Sequence, residues 1–249
     1  MFDFLKIDDD FWDFPFYRGK PAMPKFGWLI LAVVVFVEMI MIFGLIDLIP
    51  IPLYSLPKEI VAILPCIIFL LALAYACRGK LGLFFKVPTF NDVKIIIIFY
   101  ILSSIYAFAM IFVLEFLGIP MAKNSAEAAL HSIFPFITDI IIKLIALLEE
   151  ELFKVSLLLI LMAVIYYFTK DKKISVWVGV FLNLIIFGLC HLSAYNGNII
   201  QCILVIGLGS FFDLFVYLKT KNIVNSWIVH VMYDYLFTAV GFLLGLQLL

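Results

Sequence analysis

The sequence predicts an all-α, polytopic membrane bundle of about seven transmembrane helices. Hydrophobic residues make up 66% of the 249-residue chain and charged residues only 14%, whereas a soluble domain has about 25% charged residues. Several apolar runs reach about 20 residues, enough for a helix to cross the roughly 30 Å hydrocarbon layer. Basic residues are concentrated in alternate connections between these runs, as expected if each run crosses the bilayer. We therefore expect an integral, multi-pass protein of the cell membrane.

The predicted spans follow the apolar runs in order. They cover residues 27–49, 58–77, 95–119, 135–168, 174–192, 198–218 and 223–248. The fourth run is too long for one perpendicular helix of about 20 residues. It must therefore tilt strongly, or residues 133–143 must form an interfacial segment that leads into it.

The distribution of basic residues orients the predicted helices. Thirteen basic residues lie in the N-terminal arm and in the connections after the second, fourth and sixth spans, whereas only Lys58 and Lys123 lie on the opposite side. The positive-inside rule places the more basic connections in the cytoplasm. The N-terminus is thus predicted inside and the C-terminus outside.

The chain divides into three predicted segments without a linker between them. Residues 1–26 lack the apolar region of 7–15 residues that defines a signal peptide, and they alternate acidic with aromatic residues. We interpret them as an interfacial arm, because aromatic rings anchor at the headgroup level. Residues 27–132 form three transmembrane helices with their loops, and residues 133–249 form a helical core.

Three consecutive glutamates, Glu149, Glu150 and Glu151, lie inside the fourth span and are followed by Lys154. One charged side chain at the centre of a membrane helix costs roughly 2.5 to 3.5 kcal/mol. Ionisable residues at this depth usually face a bundle interior or a water-filled cavity. The cluster therefore indicates a functional site within the bundle.

Polar and small residues on the next three spans fall on shared helical faces. They are Asn183, Phe187 and His191 on the fifth span, Gly207, Gly209, Ser210 and Asp213 on the sixth, and Ser226, His230 and Asp234 on the seventh. A spacing of four residues places side chains on one face of a helix. Each pattern alone can be structural, but together they predict one polar interior shared by four helices.

These residue types allow three kinds of chemistry. A carboxylate or histidine can take a proton from water, and a histidine N–H can stabilise an oxyanion. Two histidines and a glutamate could instead hold zinc, although the HExxH pattern is absent. The same groups could relay protons or bind an ion in a transporter. A net charge of −1 without a basic block argues against nucleic acid as a partner.

Three motifs resemble those of the CAAX prenyl protease and bacteriocin-processing (CPBP) family of intramembrane proteases. Glu149-Glu150-x-x-x-Lys154, Phe187-x-x-x-His191 and His230-x-x-x-Asp234 are similar to EExxxR, FxxxH and HxxxN/D in order and spacing. The resemblance implies that residues 133–249 form the catalytic core. It also implies that Glu149 activates a water with His191 while His230 and Asp234 stabilise the oxyanion. Glu150 would support this pair, and Lys154 would orient the glutamates.

The chain departs from this pattern at two positions. Lys154 replaces the usual Arg and lacks its planar fork. Asp234 stands where Asn is frequent, and an ionised carboxylate cannot donate to an oxyanion, so it must be protonated or hold the tautomer of His230.

The register of the glutamate motif and the depth of the histidines are also open. Glu150-Glu151-x-x-Lys154 is similar to the EExxK pattern of PrsW-like membrane proteases, but the later motifs favour the first register. Counting 1.5 Å per residue, His191 lies near the outer end of its span and His230 only some 10 Å from the inner end of its own. Tilt, a deeper start of the seventh span or a re-entrant segment at residues 195–198 must bring them together.

We therefore expect an intramembrane endopeptidase that uses a glutamate-activated water on a membrane-associated or prenylated CAAX-type protein. Its expected partners are the lipid bilayer and a peptide or lipidated protein substrate. No cofactor is required, and zinc held by Glu149, His191 and His230 is the alternative. A non-proteolytic scaffold or bacteriocin-immunity-type relative is the second hypothesis. An ion-coupled transporter is the third, which the lack of an evident inverted repeat disfavours.

Overall fold

The computed structural model describes residues 9–12, 23–43, 58–122 and 133–244, and every regular element in these ranges is helical. The α-helices are α1 (Asp9–Trp12), α2 (Lys25–Ile42), α3 (Lys58–Ala76), α4 (Phe90–Phe116), α5 (Ile133–Thr169), α6 (Lys172–Cys190), α7 (Ile199–Gln201), α8 (Phe211–Thr220) and α9 (Ile223–Leu244). A 3₁₀ turn covers Leu81–Leu83, and a π-helical segment, Cys202–Gly207, follows α7 and leads toward α8. With α7 and α8 counted as one span, the all-α bundle with seven long helices is confirmed.

Five of these helical stretches are long and apolar enough to cross a membrane. They are Lys25–Ile42, Phe90–Phe116, Ile140–Thr169, Lys172–Cys190 and Ile199–Thr220. Helix α3 has a shorter apolar part, Ile63–Ala76. Large apolar side chains such as Leu71, Phe112 and Phe116 are exposed on the bundle surface, where lipid would cover them. The chain is an integral membrane protein, and its predicted orientation stays a prediction.

Helix α5 is the central element of the bundle. Its 37 residues correspond to a length of about 55 Å. It packs against α2, α3, α6, α8 and α9, and residues 151–159 are buried on every side. Because neighbours surround it, charged side chains in its middle can find partners within the protein.

The α5–α6 connection determines how far Glu150 and His191 lie along the bundle axis. Lys170 has a positive φ of 56°, and the Asp171 side chain caps α6 by accepting from the Lys173 and Ile174 amides at 2.8 and 3.1 Å. Glu150 and His191 each lie about 28 Å from this tight turn along their antiparallel helices. The hairpin therefore brings Glu150 and His191 to the same level.

The start of α9 removes the predicted depth mismatch between the two histidines. Its fourth residue, Ser226, already donates to Glu151 in the middle of α5, with 2.5 Å between Oγ and Oε2. The next residue, Trp227, donates from Nε1 to the Leu144 carbonyl at 3.1 Å. Because α9 begins beside the middle of α5, His230 in its second turn lies at the level of the glutamates.

An irregular segment, residues 191–198, closes one end of the same region. Asn196 and Gly197 both have positive φ, 50° and 76°, and the Gly197 amide donates to the Leu192 carbonyl at 2.7 Å. Asn198 ties the segment to the α4 end by donating to the Pro120 carbonyl at 2.8 Å. This predicted non-helical segment buries Tyr195 toward the interior, as membrane-depth backbone does when it lines a cavity.

Two glycines let α6 approach the π-helical segment. A Cβ on Gly188 would clash with the Cys202 carbonyl oxygen and would lie 3.0 Å from the Gly207 Cα. Gly207 belongs to the small-residue stretch identified in the sequence. Close approach of the two backbones brings His191, just past α6, next to the α7–α8 wall.

The described part of the N-terminal arm packs against the protein. Phe11 is 1% exposed, and its ring lies 5.3 Å from Phe215 and 6.2 Å from Trp177. Lys221 donates to the Phe11 carbonyl at 3.1 Å. Phe11 therefore packs against the bundle, and the interfacial position of the arm stays a prediction. Most of the other aromatic residues of the predicted arm lie outside the described residues.

Candidate active site

The three glutamates of α5 point in three directions, because successive residues on a helix are turned by about 100°. Glu151 points toward α8 and α9, Glu150 points into a cavity, and Glu149 points toward α2 and α3. The sequence predicts the cluster but not which glutamate meets the histidines. The partners of each carboxylate answer that question.

Glu151 is completely buried and fully hydrogen-bonded. Its Oε1 accepts from the Lys154 ammonium at 2.5 Å and from His230 Nδ1 at 2.8 Å, and its Oε2 accepts from Ser226 Oγ at 2.5 Å. A carboxylate accepts only, so His230 carries a proton on Nδ1. Glu151 therefore fixes the orientation and tautomer of His230.

Lys154 joins Glu151 to a second carboxylate from another helix. Its side chain is 0% exposed, and Nζ lies 2.8 Å from Asp213 Oδ2 on α8. The ammonium also lies 4.7 Å from the centre of the Phe187 ring. A buried ion pair requires such multiple partners, because removing charges from water is costly. The phenylalanine of the predicted FxxxH motif is thus part of this charge cluster.

Glu150 lies between the two histidines. Its Oε2 is 3.9 Å from His191 Nε2 and 3.7 Å from His230 Nε2, and its side chain is 30% exposed. These separations exceed direct hydrogen bonds and suit a bridging water. Glu150 is the carboxylate that the structure places against both predicted histidines.

His191 has a defined tautomer. Its Nδ1 lies 2.9 Å from the Phe187 carbonyl oxygen, and a carbonyl can only accept, so Nδ1 carries the hydrogen. In the neutral ring the lone pair is then on Nε2, which faces Glu150. The Phe187 ring packs edge-on at 4.7 Å and holds the imidazole in place.

Asp234 lies one turn beyond His230 and has two neighbours. Its Oδ1 is 3.9 Å from His230 Nε2, and its Oδ2 is 3.4 Å from Lys143 Nζ. Lys143 also donates to Thr238 Oγ1 at 3.1 Å. In this ion pair Asp234 is a carboxylate, which accepts hydrogen bonds but does not donate them.

Glu149 is turned about 100° from Glu150 around α5, and it does not line the cavity that Glu150 enters. Its Oε1 is buried without a hydrogen-bond partner among the described residues. The structure thus brings Glu150, His191, His230 and Asp234 to one place, with Lys154 behind Glu151, and leaves Glu149 on another face of α5.

A cavity of about 200 Å³ opens in front of Glu150. Its polar and aromatic lining is Ser103, Glu150, Phe187, His191, Tyr195, Ser210, Asp213, His230, Tyr233 and Asp234. The rest of the wall is small or apolar: Ala194, Val205, Ile206, Gly209 and Val229. A cavity that joins carboxylates and histidines to an apolar wall suits a peptide with a water beside it.

One group of side chains has the spacing of metal ligands within the described part of the chain. Ligand atoms of Glu151, Asp213 and His230 lie within 4.8 Å of one another. The Lys154 ammonium contacts both carboxylates, at 2.5 and 2.8 Å, so a positive charge is already present among them. This cluster does not fit a divalent cation, and Glu149 of the predicted zinc set lies apart from the histidines.

Comparison with known proteins supports the same part of the chain. Residues 128–236 match the family described as type II CAAX prenyl endopeptidase Rce1-like. These residues are Rce1-like. The suspected relation to the CPBP family is confirmed, and the relation implies a peptidase. Neither the curated proteins nor the solved structures include a significant match.

Some contacts of the Rce1-like region were not predicted. Asp213 and Ser226 were visible as polar residues on helical faces, but nothing in their spacing assigns them to Lys154 and Glu151. Lys143 lies within a predicted span, so a partner for its charge could have been expected from the sequence. Tyr233 has no sequence signal beyond its position beside Asp234.

Proposed function

We propose that this chain is an intramembrane endopeptidase in which Glu150, with His191, activates the attacking water. The observation that carries the proposal is the placement of Glu150 Oε2 between the Nε2 atoms of His191 and His230, at 3.9 and 3.7 Å. Glu149, the base implied by the first motif register, lies away from this cavity. The proposed base therefore follows the second register, Glu150-Glu151-x-x-Lys154.

The proposed reaction begins with a water held between Glu150 and His191. Glu150 accepts a proton from this water while the water oxygen forms a bond to the carbonyl carbon of the scissile peptide. The carbonyl oxygen becomes an oxyanion beside His230. Glu150 then returns the proton to the amide nitrogen, the carbon–nitrogen bond breaks, and a carboxylic acid and an amine are released.

His230 supports the oxyanion in this proposal. Its Nδ1–H is held by Glu151 at 2.8 Å, and the negative charge of Glu151 stabilises the doubly protonated ring. In that form Nε2–H points into the cavity and can donate to the developing oxyanion. Lys154 positions Glu151 and does not itself contact the substrate.

The Rce1-like match supports a membrane-associated or prenylated CAAX-type protein as the substrate class. The exposed apolar surface of the bundle is compatible with a lipid-attached substrate that reaches the cavity from the bilayer. The proposed mechanism activates water with Glu150 and His191 and uses no metal. The alternative of a non-proteolytic scaffold predicts the same fold with no turnover.

The test compares two neighbouring glutamates. Purified protein in lipid nanodiscs is incubated with a library of prenylated and unprenylated CAAX peptides, and products are identified by mass spectrometry. Glu150→Gln should lower kcat at least 1,000-fold, because the amide cannot accept the proton, an effect at the upper range expected for base catalysis. Glu149→Gln is the matched control and should keep kcat within about threefold, since it does not line the cavity.

The opposite ranking, with Glu149→Gln inactive and Glu150→Gln active, would return the base to the first register. Cleavage by neither wild type nor any variant, in protein that remains folded, would favour the scaffold hypothesis.

A further inference from the structure

We infer that Tyr233 is a catalytic residue whose hydroxyl donates a hydrogen bond to the oxyanion. The inference deepens the proposed function and rests on it. It starts from the position of Tyr233 in the middle of α9, three residues after His230. Side chains three residues apart lie next to each other on a helix surface. Tyr233 and His230 both line the cavity in front of Glu150.

The hydrogen-bond donors of the cavity are nearly all engaged. Ser103 and Ser210 donate to the Tyr100 and Gly207 carbonyls, both at 2.8 Å. His191 uses Nδ1–H on the Phe187 carbonyl. Glu150, Asp213 and Asp234 are acceptors when ionised. None of these groups can donate a hydrogen bond to the oxyanion in addition to the one from His230.

Asp234 in particular cannot take the role of a donor. Lys143 Nζ forms an ion pair with its Oδ2 at 3.4 Å, and a carboxylate in an ion pair only accepts hydrogen bonds. A carboxylate beside an oxyanion repels it. Where the related motif often has Asn, whose amide could donate, this chain therefore has Asp234, which only accepts.

Tyr233 supplies a donor at this place. Its side chain lines the cavity together with Asp213, Asp234 and Tyr195, and its hydroxyl makes no hydrogen bond to any described residue. Tyr195 also lines the cavity but already has another interaction partner. The Tyr233 O–H is thus available to a substrate group, and it retains its proton throughout the reaction.

The ring of Tyr233 is held in place by a packing contact that does not involve its hydroxyl. It packs against Phe237 with 4.8 Å between ring centres, and Phe237 is itself buried. Replacing Tyr233 by Phe removes one oxygen and leaves this contact. The variant therefore tests the donor and not the fold.

The experiment measures kcat and KM for Tyr233→Phe in nanodiscs with a peptide that the wild type cleaves. Loss of one oxyanion donor lowers kcat by about 100-fold or more in other hydrolases. We expect a decrease of roughly 100-fold in kcat, with KM within about twofold and an unchanged unfolding temperature. Tyr235→Phe is the matched control, because its hydroxyl donates to the Ile140 carbonyl at 3.3 Å and does not line the cavity. It should keep kcat within about twofold.

Other outcomes refute the inference. A Tyr233→Phe enzyme with kcat within threefold of wild type, or with a raised KM and unchanged kcat, would overturn the oxyanion role. Equal losses in Tyr233→Phe and Tyr235→Phe would show a general effect on α9 and would also overturn it. Full activity of Glu150→Gln would instead refute the proposed base, while the Tyr233→Phe result would still decide the donor. Absence of cleavage by wild type would refute both.

Discussion

Replacement of Lys154 by Met should strongly destabilise the protein. Lys154 is completely buried and neutralises Glu151 and Asp213, at 2.5 and 2.8 Å. Met has a similar length and preserves packing, so the change removes mainly the charge. Two carboxylates then remain buried with no cation except a protonated His230. Breaking a buried pair by removing one partner costs about 3–5 kcal/mol.

This loss corresponds to a large shift in thermal stability. In a chain of 150–250 residues each kcal/mol lowers Tm by about 2–4 °C, so Lys154→Met should lower Tm by roughly 6–20 °C. The chain provides its own probe, because Cys66, Cys77, Cys190 and Cys202 are all free and buried. A fluorogenic thiol reagent added during a thermal ramp reports their exposure.

Two further variants test the reasoning about charge. Asp213→Asn leaves Lys154 paired with Glu151 and should cost less than Lys154→Met. Lys94→Met on the exposed side of α4 is the control and should leave Tm unchanged within about 2 °C, as expected for a surface change. A Lys154→Met protein with the Tm of wild type would refute the view that Glu151 and Asp213 depend on this ammonium.

Two other perturbations test the edge of the site and the role of metal. Lys143→Met should change stability by less than about 1 kcal/mol, because the Lys143–Asp234 pair is partly exposed, at 27% for each side chain. Lys143→Met should nevertheless lower kcat several-fold, because Asp234 loses the partner that positions it. Lys143→Arg should restore kcat. Equal kcat in wild type, Lys143→Met and Lys143→Arg would exclude this positioning role. A strong chelator should leave peptide cleavage unchanged, since the proposed water activation uses Glu150 and His191; loss of activity that added zinc restores would show a metalloprotease.

The sequence predicts the fold well because its signals are local. Apolar length defines the helices, and the capping residue Asp171 marks the start of α6 directly in the sequence. The four-residue spacing of Phe187 with His191 and of His230 with Asp234 places each pair on one helical face. These properties depend only on residues near one another in the chain.

The partners of the glutamates depend on helix rotation and axial shift, which local sequence does not define. A rotation of about 100° around α5 would turn Glu149 into the direction that Glu150 has in the structure, so motif spacing alone leaves the register open. The axial start of α9 beside Glu151 follows from the packing of whole helices. Contacts between α5 and α8, such as Lys154 with Asp213, join residues 59 positions apart.

The two departures from the family pattern have different structural compensations. Lys154 is a point charge without the fork of Arg, and it meets two carboxylates from two helices because Asp213 of α8 reaches the side of Nζ that Glu151 leaves open. Asp234 is an acceptor where an amide could donate, and Lys143 binds its outer oxygen at 3.4 Å. Neutralising Asp234 reduces its repulsion of an oxyanion, but it does not provide a hydrogen-bond donor. A second donor must then come from a neighbouring residue of α9. The hydroxyl of Tyr233 lines the cavity and makes no hydrogen bond to a described residue, so it is in the position to supply this donor.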